Sequence, residues 1–180
     1  MPLHRESDIE FNFANNIWAV LKKVDDHIDY RKVEVLNGTK AVDFLGICNN
    51  DLTFIEVKNF RGHRIANKPR LAEDGDKLMT EIGQKVRDTI AVAIGGARNS
   101  THDQQDWQII STHLIDENRN VAVVLWLEED HPLEKRAKAG SGIYTNKLKS
   151  KVKWFTGGNN VLVTSSHFND IDGLSVTLLP

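Results

Sequence analysis

Two carboxylates and a lysine stand in stretches that are otherwise apolar. Asp43 lies within Ala41-Val42-Asp43-Phe44-Leu45, and Glu56 and Lys58 lie within Phe54-Ile55-Glu56-Val57-Lys58. An ionised carboxylate in an apolar strand is unfavourable unless something satisfies its charge. Strand side chains alternate, so Glu56 and Lys58 share a face with Phe54, while Ile55 and Val57 point the other way into apolar packing. The turn-like Cys48-Asn49-Asn50-Asp51 separates the two runs, and pairing around it brings Asp43 beside Glu56. Neighbouring carboxylates repel, and a divalent cation relieves the repulsion. Hard Mg²⁺ takes one or two carboxylates together with water and phosphate oxygens. The chemistry expected of the three residues is hydrolysis of a phosphoester. Asp43 and Glu56 would hold Mg²⁺ (or Mn²⁺), and Lys58 would orient the attacking water and steady charge on the scissile phosphate.

The elements that must position these residues follow from periodicity. Ile9, Phe13, Ile17, Val20, Leu21 and Val24 recur at three- and four-residue spacing, which predicts an amphipathic helix. Ser7 and Glu10 form an S-x-x-E capping box at its start. Tyr30 to Leu36 reads as a strand entering Asn37-Gly38, a type I′ hairpin signal, with strands over 40–47 and 52–60 completing a meander. Residues 61–75 read as irregular. Leu78, Ile82, Val86, Ile90 and Ile94 predict a helix from about Asp76 that Gly95-Gly96 ends, followed by a polar loop over 97–108. Val121 to Leu127 predicts a strand buried on both faces. Residues 132–155 read as helical in parts, interrupted at Gly140-Ser141-Gly142 and stopped by Gly157-Gly158. Val161 to Ser165 and Leu174 to Leu178 are late strands. The fold expected is α/β, a mixed sheet of about five strands flanked by helices, in one domain over residues 1–180.

Composition narrows the classes. Hydrophobic residues make up 40% and charged residues 27% of the 180, as in an ordinary globular chain. No run approaches the length of a membrane span and the N-terminus lacks an apolar signal region, so the expectation is no membrane and a cytoplasmic setting. The net charge of −2 argues against coating nucleic acid by bulk charge. Charge is nonetheless uneven: Arg61, Arg64, Lys68 and Arg70 occupy a stretch without acids, and seven Lys/Arg lie between Lys135 and Lys153 with none. Either run could meet phosphates or simply be a solvated face. The seven histidines show no zinc spacing, although His63, inside the first basic run, is a candidate phosphate contact. Cys48 has no partner that would make it a nucleophile. Trp107 and Trp154 could stack on bases, with core packing the plainer alternative.

Asp43 followed by Glu56-Val57-Lys58, set between a first helix, a hairpin and a second helix, resembles the PD-(D/E)xK nuclease superfamily, the restriction endonuclease-like fold. The likeness covers residues 8–94, and EVKNFRGHRI followed by QKVRDT is similar to uncharacterised bacterial members. Val42 stands where the superfamily often has proline. The resemblance implies a Mg²⁺-dependent nuclease acting on nucleic acid, with DNA the expected substrate. It implies that the backbone carbonyl of Val57 joins Asp43 and Glu56 around the metal. It also implies a supporting Glu on the first helix, Glu10 with Glu6 as second choice, and a Gln or Lys on the following helix, Gln84 ahead of Lys85. The alternative for Glu10 is a helix cap alone, and for Gln84 and Lys85 solvent-facing helix positions. Arg61, His63, Arg64, Lys68, Arg70 and Lys85 are the nucleic-acid-binding candidates. A partner subunit would supply the specificity for which a 180-residue chain has little room, and a homodimer would let two sites cut two strands. The other class in play is a non-catalytic nucleic-acid- or protein-binding module on the same fold, acting as a subunit of a larger complex.

Overall fold

The computed structural model describes the backbone of residues 3–62, 64–130 and 134–180, and the side chains of residues 3–62, 75–130 and 142–180. The chain opens with three strands, β1 (His4–Glu6), β2 (Ile9–Phe13) and β3 (Trp18–Lys23), and a short helix, α1 (Ile28–Glu34). Strands β4 (Phe44–Cys48) and β5 (Asp51–Asn59) form the hairpin expected around Asn49-Asn50, both of which take positive φ. Then come helices α2 (Arg64–Asn99) and α3 (Gln104–Ile115), strand β6 (Val121–Glu128), helix α4 (Glu134–Thr156) and strands β7 (Val161–Thr164) and β8 (Leu174–Leu178).

A five-stranded mixed sheet in the order β3-β4-β5-β6-β7 is the frame, antiparallel from β3 to β5 and parallel from β5 to β7. The α/β class and the five-stranded mixed sheet expected from the sequence are therefore present. Alternation sorts its side chains. Leu45, Phe54, Val123 and Leu125 join the helices' Leu78, Ile82, Val86, Trp107, Ile110, Leu148 and Val152 in one core. Phe44, Ile55, Val57, Val124 and Trp126 join Ile9, Phe11 and Phe13 of β2 in a second. Helices cover one face, and a small sheet ordered β1-β2-β8 covers the other. Phe11 anchors that second layer, its ring centroid 5.4 Å from Phe44 and 5.5 Å from Trp126. Each such aromatic pair contributes about 0.5–1.5 kcal/mol beyond its buried area. Among the described residues no helix is long and apolar enough to cross a membrane.

The first expected helix is instead two strands. The helical spacing used Ile9 and Phe13 but left out Phe11 and Trp18, and both are fully buried. Period two accommodates Ile9, Phe11 and Phe13 together, which period 3.6 cannot. Ser7 and Asp8 both take positive φ, 50° and 58°, making the tight β1–β2 turn; Ser7 caps no helix. Tyr30 to Leu36, expected as a strand, is mostly α1. Its Tyr30 and Val33, one helical turn apart, pack inward, while Val35 and Leu36 stay 78% and 63% exposed. Asn37-Gly38 follows this helix rather than joining two strands.

Helix α2 starts at Arg64, not Asp76; the left-handed Gly75, at φ +76°, is a joint inside it. Gly95-Gly96 does not end it, because Gly96 lets the helix lie against the Trp107 ring: a Cβ there would sit 2.5 Å from Trp107 Cδ1. Close helix contact outweighs glycine's poor helical propensity. The expected loop over 97–108 is thus the end of α2 and the start of α3. Trp107 is fully buried there, donating to Asp29 Oδ2 at 2.9 Å, so its packing role holds. Helix α4 runs through 140–142 without interruption, and Gly157 and Gly158, at φ +66° and +87°, end it as expected.

Replacing Gly96 by Ala should destabilise the protein by about 1–3 kcal/mol through overpacking against Trp107. Gly95→Ala, whose new methyl meets nothing within 4 Å, should be neutral or stabilising by about 0.5–1 kcal/mol. Guanidinium denaturation of the two variants compares them, and equal effects would contradict the packing described.

Candidate active site

Three backbone restraints deliver Asp43. Asp88 Oδ2 and Thr89 Oγ1, both on α2, accept the N–H groups of Lys40 and Val42 at 3.1 and 3.0 Å. Val24 N–H donates to the Asp43 carbonyl at 2.9 Å, fastening the chain just beyond β3 to the same point. The β4–β5 register pairs Phe44 with Ile55, and one step further along it Asp43 faces Glu56. The Val57 N–H completes the link, donating to Asp43 Oδ2 at 2.6 Å. The juxtaposition of Asp43 and Glu56 expected from the sequence is therefore present, and Glu56, Lys58 and Phe54 share the helix-facing side.

Glu56 is 1% exposed. Its carboxylate is gripped by two lysines: Lys58 contacts Oε1, and Lys85 of α2 contacts Oε1 at 2.7 Å and Oε2 at 2.9 Å. Lys85 also approaches Asp43 Oδ1 at 3.8 Å. Burial disfavours the Lys85 charge, but Glu56 and Asp43 more than compensate, so the ammonium is held more firmly protonated than a free lysine. Asp43 moves the opposite way to an ordinary paired carboxylate. Burial, then repulsion from Glu56, push it up to about 7, outweighing Lys85, the Val57 N–H and Lys58.

Asp43 also meets two acids that the pairing of apolar runs did not reveal. One carboxylate oxygen each from Glu6, Asp25 and Asp43 lie within 4.8 Å of one another. Asp25 Oδ1 is buried with no hydrogen-bond partner among the described residues. Lys23 stands beside this group, 3.1 Å from Glu6 Oε2 and 3.6 Å from Asp25 Oδ1. Among the described residues, these ion pairs and the acidic group join the acids Asp43, Glu56, Glu6, Asp25 and Asp26 and the lysines Lys58, Lys85 and Lys23. Five carboxylates against three ammonium groups leave two negative charges when all are ionised.

Several sequence candidates fall elsewhere. Glu10 lies on β2, where it pairs with Arg5 at 3.2 Å and is absent from the acidic group around Asp43. Since no helix forms there, the residue that reaches Asp43 is Glu6, at the end of β1. Gln84 is exposed and Lys85 takes the inward place, because Lys85 and the buried Ile82, Val86 and Thr89 share one side of α2. Arg61 spends its guanidinium on Asn59 Oδ1 and the carbonyls of Asp8 and Leu179, fastening β5 to the small sheet. His63 lies outside the described residues, as do the side chains of Arg64, Lys68 and Arg70. Lys151 pairs with Asp76 at 3.0 Å, and Trp154 is 61% exposed at the end of α4. Burial, then Asp172 and Asp51, push the Cys48 thiol up to about 11, which leaves it unreactive.

Lys23 and Asp25 were missed because they fall within and just after a segment read as a helix. Asp25-Asp26 is a legible acidic pair, but only the pairing of β3 with β4 brings it to Asp43. No protein-family model, curated protein or solved structure matches this chain.

The Asp43 shift has a stability consequence. A carboxyl raised from its ordinary 3.8 to about 7 binds its proton more tightly in the native chain than in the unfolded one. Its contribution is therefore fully present below about pH 4 and is lost as pH rises towards 7. In metal-free buffer, melting temperature against pH should fall over that window more steeply for wild type than for Asp43→Asn. Parallel curves would refute the buried, shifted carboxyl.

Proposed function

We propose that this chain is a metal-dependent nuclease of the PD-(D/E)xK type that hydrolyses phosphodiester bonds of nucleic acid, DNA being the substrate to test first. The observation that carries the reading is Asp43 facing Glu56 at a buried strand end, with Lys58 beside them and further acids adjoining. The donor set suits a hard divalent ion, being entirely carboxylate oxygen and including Asp25 Oδ1, which has no hydrogen-bond partner among the described residues. Among the described residues no histidine or cysteine joins it, which disfavours zinc. Asp43 would hold Mg²⁺ or Mn²⁺ with Glu6 and Asp25, and Glu56 and, as the resemblance implies, the Val57 carbonyl would be further oxygen donors. The bound ion supplies Lewis acidity toward a phosphoryl oxygen and its water.

The chain's own groups do the rest. Lys85 holds the Glu56 carboxylate in place from α2, so that the ammonium of Lys58 has a fixed orientation. Lys58 can then orient the attacking water and oppose charge developing on the phosphate. Burial strengthens these interactions, since the surrounding dielectric is low.

A binding module without catalysis is the second reading, favoured by one observation. Both oxygens of Glu56 already have lysine partners, as expected of a purely structural buried ion group.

The two readings part in a cleavage assay on labelled single-stranded DNA, duplex DNA and RNA with Mg²⁺, Mn²⁺ or EDTA. The nuclease reading expects metal-dependent cleavage that falls about a hundredfold or more in Lys58→Ala. Cleavage that persists in EDTA or in that variant would sink it, and absence of both cleavage and Mn²⁺ binding would favour the binding module. Substitutions on α2 add a positional check. Lys85→Met should reduce cleavage by a factor on the order of ten to a hundred, as expected for loss of a charge partner in a site of low dielectric, while Gln84→Ala should stay near wild type. The reverse order would contradict the placement of Lys85.

A further inference from the structure

We infer that Lys23 is a tethered counter-ion of the metal site, an ammonium that neutralises Glu6 and Asp25 in the metal-free protein and yields them when a divalent cation enters. The inference rests on the metal-site reading above and adds a mode of control to it.

The placement of Lys23 is specific. Its Nζ has three carboxylates within ion-pair reach: Glu6 Oε2 at 3.1 Å, Asp25 Oδ1 at 3.6 Å and Asp26 Oδ2 at 2.5 Å. Two of these acids, Glu6 and Asp25, are the ones whose oxygens gather with Asp43. Lys23 thus shares two acceptors with the proposed ion, whereas Lys58 and Lys85 make their closest contacts to Glu56, Lys85 reaching Asp43 only at 3.8 Å.

Lys23 satisfies the group incompletely. Its 3.6 Å approach to Asp25 Oδ1 is too long for a hydrogen bond, and that oxygen has no hydrogen-bond partner among the described residues. A lysine carries one charge on a flexible four-carbon stem, so it can leave without moving the backbone. Asp26 offers the place to go. Its side chain is 65% exposed, against 18% for Glu6, so the ammonium can stay on Asp26 at the rim while giving up the inner oxygens. Each half of the exchange trades one cation for another on the same oxygens, so the acids are never left bare.

The consequence is competition. Positive charge beside the ion's own ligands lowers metal affinity, and removing it should raise affinity by a factor on the order of ten. A lysine that merely stabilises the fold predicts the opposite, since losing it would loosen the acids and weaken binding.

The experiment is Mn²⁺ titration of wild type, Lys23→Met and Lys23→Gln, followed by electron paramagnetic resonance, with melting temperatures measured with and without Mn²⁺. Tighter Mn²⁺ binding in the variants, a lower melting temperature without metal and a larger rise on adding Mn²⁺ would support the inference. A variant that folds only with Mn²⁺ would support it equally. Unchanged or weaker binding in folded variants would overturn it, as would the absence of Mn²⁺ binding in all three proteins. The nuclease reading is judged separately: tighter Mn²⁺ binding in the variants without cleavage by wild type would keep the competing lysine and discard the nuclease.

Discussion

The site depends on two carboxylates that burial and sequence force together. Asp43 and Glu56 face one another at the end of a hairpin with almost no solvent, where like charges repel and each is costly to ionise. The surroundings answer that cost. Lys58 and Lys85 hold Glu56, the Val57 N–H holds Asp43, and Asp43 is pushed up to about 7. The long helix α2 serves the same end. It carries Lys85 to Glu56, and its Asp88 and Thr89 fasten the extended segment that leads into β4.

A second group of charges joins the first through Asp43. Strand β1 brings Glu6, and the turn after β3 brings Asp25 and Asp26, so the small sheet that covers one face of the main sheet also supplies one acid to the group. Arg61 fastens β5 to the β1–β2 turn and to the C-terminal residues, which ties that covering layer to the strand carrying Glu56. The division of labour is physical. Lys58 and Lys85 grip Glu56, while Glu6 and Asp25 bring further carboxylate oxygens to Asp43. A hard divalent ion is what the second group suits, and that fit is why hydrolysis of a phosphodiester is the function proposed.

A separate ionic group keeps the helical layer in place. Lys22, 9% exposed, pairs with Asp103 and Asp106 at 3.1 and 2.6 Å, and His27 Nε2 lies 2.8 Å from Asp103 Oδ2. Asp29 receives Trp107, so β3, α1 and α3 meet at one satisfied cluster. Adjacent residues of β3 thereby face opposite tasks, Lys22 structural beneath the helices and Lys23 at the acids.

Local sequence determined the β4–β5 hairpin, the faces of Phe54, Glu56 and Lys58, the buried strand β6 and the final strands, because each rests on alternation or on a turn between neighbouring residues. The class of fold followed from the order of those elements. The first twenty-odd residues read as a helix because Ile9, Phe13 and Ile17, four apart, suit either period, and only packing of Phe11 and Trp18 against the main sheet selects strands. Gly96 similarly reads as a helix end until Trp107 lies against it. Glu6, the neighbouring Lys23 and Asp25, and Lys85 come from three places along the chain, and no periodicity relates them. Tertiary structure alone decided that they meet at Asp43, because strand register and helix docking set distances between residues that the local sequence leaves independent.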